Sequence, residues 1–303
     1  MHPGDPARAM IDNPQLPCSR EPTEAAKKRP PFGRREVVVP DDHARAPRQP
    51  AHDPQQVGVE PGVGQQPAGR RRVARRHRDA YSSLAVTSAA SRLHHIRQDI
   101  AAAARLARRE PDEVTLVAVS KTRSADEIAA LIEAGQRDFG ESRVQETEAK
   151  WPGLLQQHPG IRLHCIGRLQ SNKAEAAAGL FDVIHSLDRP SLLDALVGAA
   201  EKTGRCPQVF VQVNVGEEEQ KGGVAPPELP DFLERVRSTP LLLAGLMAIP
   251  PQEPEPSPFF ALLAKLARRH DVSGLSMGMS GDYRAAVMLG ATVVRVGTAL
   301  FED

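Results

Sequence analysis

A chain of 303 residues has room for one large domain or two small ones, and a (β/α)8 barrel alone needs about 250. Its 39 basic and 38 acidic residues nearly cancel, so no global field draws it toward nucleic acid or membrane. Three cysteines without C-x-x-C spacing, Cys18, Cys165 and Cys206, argue against a structural zinc site and fit a reducing compartment. No apolar run nears the roughly 18 residues of a membrane span, and the amino terminus lacks the apolar core of a signal peptide. The expectation is a soluble, cytoplasmic protein.

The composition changes near residue 80. Residues 1–80 hold 13 of the 27 prolines and the basic run Arg70–Arg78. Such a stretch buries too little apolar surface to offset the entropy of ordering, so residues 1–82 are expected to be a disordered extension. A basic run can also serve nucleic-acid binding or targeting. The plainer readings are an unstructured tail or a start codon set too far upstream. The function is expected in residues 83–303.

From there the pattern is regular. Ser91 is expected to cap a helix running to about Arg109, with Leu93, Ile96, Ile100 and Ala104 on one face. Short β-branched runs then predict strands at Val114–Ser120, Asp138–Gly140, Arg162–Ile166, Val183–Ser186, Val209–Val215, Leu243–Ile249, Gly274–Met277 and Val293–Val296. Helical segments are expected at Ala125–Ala134, Ser191–Thr203, Pro227–Arg237, Pro258–Arg269 and Gly281–Leu289. Strands alternating with helix-sized connections make a parallel sheet. Nearly continuous apolar runs such as VTLVAVS suit a sheet buried on both faces. Eight such units in about 220 residues predict an α/β fold, a single TIM-type (β/α)8 barrel.

Barrels of this kind build their sites at the carboxyl ends of the strands. Lys121 closes the first strand and Glu141 and Ser142 the second; Asn172 and Lys173 follow the third. Partial desolvation at the mouth of an apolar strand would lower the pKa of Lys121, as attack on an aldehyde requires. The bland alternative is a rim lysine paired with a carboxylate. The last two loops, which often hold phosphate in such barrels, read GMSGD and RVGT. Their glycines allow close backbone approach, and Ser280 and Thr298 supply hydroxyls. A carbonyl-capturing lysine opposite a phosphate cradle implies pyridoxal 5′-phosphate or a phosphorylated sugar. Arg295 facing a pyridine nitrogen could not accept its proton, so the ring would be a poor electron sink. His164 and His185 read as satisfied core or rim histidines, and Cys165 as a small buried hydrophobe.

The blocks VAVSKT (117–122), FGESRVQE (139–146), HCIGRLQSNK (164–173), GLMAIP (245–250), SMGMSGD (276–282) and VRVGTALF (294–301) together resemble the pyridoxal phosphate homeostasis protein family. Its members are similar to the amino-terminal barrel of alanine racemase. The resemblance implies pyridoxal 5′-phosphate as cofactor, with Lys121 as the Schiff-base lysine. It implies phosphate contacts from Ser280, Gly297 and Thr298, Arg295 facing the pyridine nitrogen, and Asn172 nearby. Lys221, in QKGGV, is a weaker candidate for cofactor handling. The implied role is intracellular cofactor homeostasis without efficient turnover, by a monomer or weak dimer whose partners include cofactor-dependent apoenzymes. Nucleic acid and membrane are not expected partners.

Two departures stand out. Ser142 replaces the family's usual asparagine, and the chain stops at Asp303, where members continue. The short end is expected to weaken closure of the last strand. The alternative functions are a racemase and a sugar-phosphate aldolase. Two-base racemisation needs an acid/base on each face of the reacting carbon, and the chain offers only Tyr81 and Tyr283.

Overall fold

The computed structural model describes residues 88–218, 220–251, 253 and 255–302. The expected extension, residues 1–82, lies outside them. The described chain forms a closed parallel barrel in which each strand pairs with the next and the last with the first. The strands are β1 Thr115–Val119, β2 Asp138–Glu141, β3 Arg162–Cys165, β4 Val183–Leu187, β5 Gln208–Gln212, β6 Leu242–Met247, β7 Gly274–Ser276 and β8 Val293–Val296. All eight expected strands are present, with bounds that differ from expectation by at most three residues at either end.

Helix α1 (Ala89–Leu106) precedes the barrel; α2 (Ala125–Glu133), α3 (Val144–Gln157), α4 (Ala174–Leu180), α5 (Pro190–Thr203), α6 (Leu229–Arg237), α7 (Ser257–Arg269) and α8 (Tyr283–Met288) alternate with the strands, and α9 (Thr298–Phe301) follows β8. The cap of α1 differs from expectation. Ser88 is the cap, and its hydroxyl accepts the Ser91 amide at 3.1 Å, so Ser91 already sits in the first turn. Sequence periodicity did not single out α3 or α4. Helix α3 carries Pro152, which has no amide to donate, and α4 is a short alanine-rich turn.

Alternation along the strands divides the core. Val117, Val183, Phe210, Met247 and Val293 fill the barrel interior, while the larger cluster, with Leu116, Ala118, Phe139 and Ile184, packs under the helices. On β1, parity therefore sends Val117 and Val119 inward, and Leu116 and Ala118 outward. The end of the chain is well closed, contrary to the expectation of weakness. Strand β8 pairs with β1 at four positions, from Thr115–Val293 to Ala118–Val296. Leu300 is buried and its carbonyl accepts from Arg92 at 2.9 Å. Arg123 pairs with Glu302 and sits 5.2 Å from the centroid of the Phe301 ring. No helix among the described residues is long and apolar enough to cross a membrane.

Candidate functional site

Lys121 lies just beyond β1 at the barrel mouth and is exposed. The expected partial desolvation is therefore absent: the side chain reaches past the last apolar layer into open solvent. Its backbone, in contrast, is clamped on both sides. Ser120 donates its hydroxyl to Glu141 Oε1 at 2.7 Å and receives Lys150 Nζ on its carbonyl at 2.9 Å. The Thr122 amide donates to Glu146 Oε1 at 2.7 Å. Thr122 has φ +63°, a left-handed conformation costly for a β-branched residue. Strain of this kind, of order 1–3 kcal/mol, persists only where surrounding contacts over-determine it. The Thr122 amide bond, together with the nearby Lys150, holds the Glu146 carboxyl below its ordinary pKa.

The brace ends in the core. Glu141 is fully buried; its Oε1 also takes the Trp151 indole N–H at 2.9 Å and pairs with Lys150 at 2.9 Å. Its Oε2 has no hydrogen-bond partner among the described residues.

The loops after β7 and β8 meet directly. The Gly297 amide donates to Ser280 Oγ at 3.2 Å, and the Arg295 amide donates to the Gly278 carbonyl at 3.0 Å. Gly278 has φ +94°, and a Cβ there would fall 2.6 Å from that of Ala286, so only glycine permits this turn. Gly297 lies against Val119, with which a Cβ would be in ordinary contact at 3.4 Å. The cradle therefore stands beside the strand end that carries Lys121. Thr298 begins the four-residue α9, whose Leu300 amide donates to the Gly297 carbonyl at 2.8 Å. Backbone donors, one serine hydroxyl and glycine clearance suit a phosphate.

Below the mouth, a polar chain crosses the barrel interior. Buried Arg295 donates to Ser276 Oγ and, at 3.0 Å, to the Ala248 carbonyl. Ser276 Oγ lies 2.8 Å from His185 Nδ1, His185 Nε2 lies 2.9 Å from His164 Nδ1, and His164 Nε2 lies 2.9 Å from Asp138 Oδ1. The Asp138 carboxylate can only accept, so with both imidazoles neutral one direction runs throughout: His164 donates to the carboxylate, His185 to His164, and Ser276 to His185. Burial lowers the Arg295 pKa to about 10, opposed by Asp282. Burial raises the Asp138 carboxyl, but the His164 bond and neighbouring charges more than offset it, leaving the pKa below the usual value. His185 is held well below its ordinary pKa, chiefly by burial and then by His164, Arg295 and Arg162.

That last shift has a measurable consequence. A histidine kept neutral in the fold binds fewer protons than the unfolded chain once the pH falls below about 6.5. Stability should then fall by about 1.4 kcal/mol per pH unit for as long as the folded imidazole stays neutral. Urea unfolding at a series of pH values should show this slope below pH 6.5, and His185→Gln should flatten it. An unchanged slope in the variant would assign the acid sensitivity to other groups.

The remaining candidates lie apart. Asn172 is exposed in a 3-10 turn (Ser171–Lys173) after β3, and no contact joins it to the cradle. Lys221 follows β5, where it pairs with Glu218 at 2.6 Å and donates to the Pro250 carbonyl at 3.3 Å. Cys165 is buried and its thiol pKa is pushed up to about 12 by burial, as suits a small apolar residue.

Residues 91–303 match the family model described as alanine racemase, N-terminal domain. The pyridoxal phosphate homeostasis protein of Escherichia coli strain K12 is 39% identical over 224 residues, spanning 70% of this chain and 95% of that protein. The chain belongs to the pyridoxal phosphate homeostasis protein family. The Aquifex aeolicus member is 38% identical over 226 residues, covering 71% of this chain and 98% of its own. Among solved structures, PipY of Synechococcus elongatus with PLP bound superposes with a TM-score of 0.61 at 37% identity, over 70% of this chain and 99% of that one.

Sequence reading missed the supporting residues of this family member's site. Asp138 and Ser276, which terminate and link the histidine chain, look like ordinary strand residues. Lys150 and Trp151 sit on a helix that had no clear signal. Glu141 and Glu146 were visible within FGESRVQE, but nothing local shows that they brace residues 20 or more positions away.

Proposed function

We propose that the chain binds pyridoxal 5′-phosphate as a Schiff base on Lys121 and serves cofactor homeostasis without efficient turnover of its own. The observation that carries this reading is the Gly297–Ser280 hydrogen bond, which joins two glycine-containing loops into one cradle beside the strand end of Lys121. The names of the Escherichia coli and Aquifex aeolicus relatives, and the PLP bound to PipY, support it.

In this reading Ser280, Gly297 and Thr298 hold the phosphate and Arg295 faces the ring nitrogen. Asn172 contributes from the far side of the mouth. The cofactor supplies an aldehyde and an electron-accepting ring. Arg295 withholds a proton from the ring nitrogen, since a guanidinium with a pKa of about 10 remains a donor at neutral pH. That discourages carbanion chemistry and favours storage. Among the described residues, no tyrosine is placed as the racemase's second base. Tyr283 donates its hydroxyl to Asp99 on α1 at 2.7 Å, in the helix layer and away from the barrel interior, and its pKa is raised, first by burial and then by Asp99. We place the protein in the cytoplasm, as a monomer or weak dimer that exchanges cofactor with dependent apoenzymes.

The test is the absorption spectrum of the purified chain before and after incubation with pyridoxal 5′-phosphate. A yellow band at about 420 nm, followed by borohydride reduction that fixes the cofactor mass on the peptide carrying Lys121, is the expected result. A colourless protein that cannot be reconstituted overturns the assignment. Rapid racemisation of alanine by the loaded protein would overturn the carrier role alone.

A further inference from the structure

A second feature of the barrel mouth is unused by this reading. A cavity of about 570 Å3 opens between the loops that follow β2, β3 and β4, within the usual size of small-molecule sites. Arg143, Arg168, Lys173 and Arg189 line it, and no carboxylate does. Arg189 is neutralised by Asp188 and donates to the Leu169 carbonyl at 2.8 Å. Arg143, Arg168 and Lys173 form no side-chain ion pair or hydrogen bond among the described residues. Glu146, which feels the field of Arg143, is already engaged by Thr122 and Lys150.

The convergence is built into the backbone. A Cβ on Gly167 would fall 2.3 Å from the Ser142 carbonyl oxygen, so glycine there lets the two loops touch. Arg143 and Arg168 are the next residues on each side of that contact. Arg143 also occupies the cap position of the 14-residue α3 without a capping side-chain bond, and Val144 and Gln145 of its first turn line the same cavity. Open first-turn amides add positive potential to that of the side chains. Three unneutralised cations around one cavity repel each other until an anion enters. Arginine forks recognise phosphate and carboxylate alike.

We propose that this pocket binds a small polyanion, a molecule bearing two or more phosphate or carboxylate groups, at a place separate from the cradle formed after β7 and β8. The inference does not depend on the cofactor assignment.

Isothermal titration calorimetry of the full chain at low ionic strength tests it, with inorganic pyrophosphate in one arm and citrate in the other. The Arg143→Gln/Arg168→Gln double variant should weaken binding at least about tenfold, whereas Ser280→Ala should change it by no more than about twofold. Added salt should weaken the wild-type affinity. Tighter pyrophosphate identifies a phosphate ligand and tighter citrate a polycarboxylate; either outcome supports the pocket. Should the double variant fail to fold by circular dichroism, Lys173→Gln replaces it, with a several-fold loss expected. Equal affinity in the charge variants, or no heat with either probe, overturns the proposal. Loss of binding with Ser280→Ala alone also overturns it, by moving the anion to the β7–β8 cradle, and leaves the cofactor reading intact.

Discussion

Lys121→Ala is expected to remove the band at about 420 nm completely and to leave no cofactor mass fixed after borohydride. The prediction separates the covalent from the non-covalent part of the site. The cradle is built from backbone and from Ser280, on strands other than β1, so it should survive the substitution. Pyridoxamine 5′-phosphate, which carries the phosphate and ring but no aldehyde, should therefore bind wild type and variant with affinities within about threefold of each other. Lys121→Arg should behave like the alanine variant, because a guanidinium stays protonated and does not form the imine. A yellow, reducible Lys121→Ala protein would move the attachment to another lysine. Lys221 would be examined first, since it too lies in a loop at the carboxyl end of a strand.

Glu141→Leu should destabilise the protein by about 3 kcal/mol or more, read from urea unfolding. The substitution leaves the Trp151 N–H and the Ser120 hydroxyl without their acceptor and removes one of the two carboxylates around Lys150. Lys150 retains Glu146, which keeps the loss toward the lower end of the range for a broken buried pair. Glu141→Gln keeps an acceptor for Trp151 and Ser120 and should cost about half as much. Because the same network holds the residues on both sides of Lys121, both variants should also slow capture of pyridoxal 5′-phosphate, measured by the rise of the yellow band. A loss of less than about 1 kcal/mol for Glu141→Leu would show that the brace contributes little and that the Thr122 conformation is held by other contacts.

The sequence by itself determined the barrel and pointed to the positions proposed to hold the cofactor. Nearly continuous apolar runs such as Thr115–Val119 and Val293–Val296 fix strands because each must bury both faces, and eight of them with helix-sized connections leave few alternatives to closure. Lys121, Ser280, Arg295, Gly297 and Thr298 were legible because strand ends and glycine turns are local features. Only the tertiary structure decided how these residues are supported. Closing the barrel brings Ser276 to His185, 91 residues apart, and Glu141 to Ser120, 21 apart. It also brings Arg143 and Arg168 to one cavity through the clearance at Gly167. Hydrogen bonds and charge pairs act over a few ångströms in space, whereas sequence pattern reports only neighbours within a turn or two. The strand register that converts one into the other exists only once the barrel has closed.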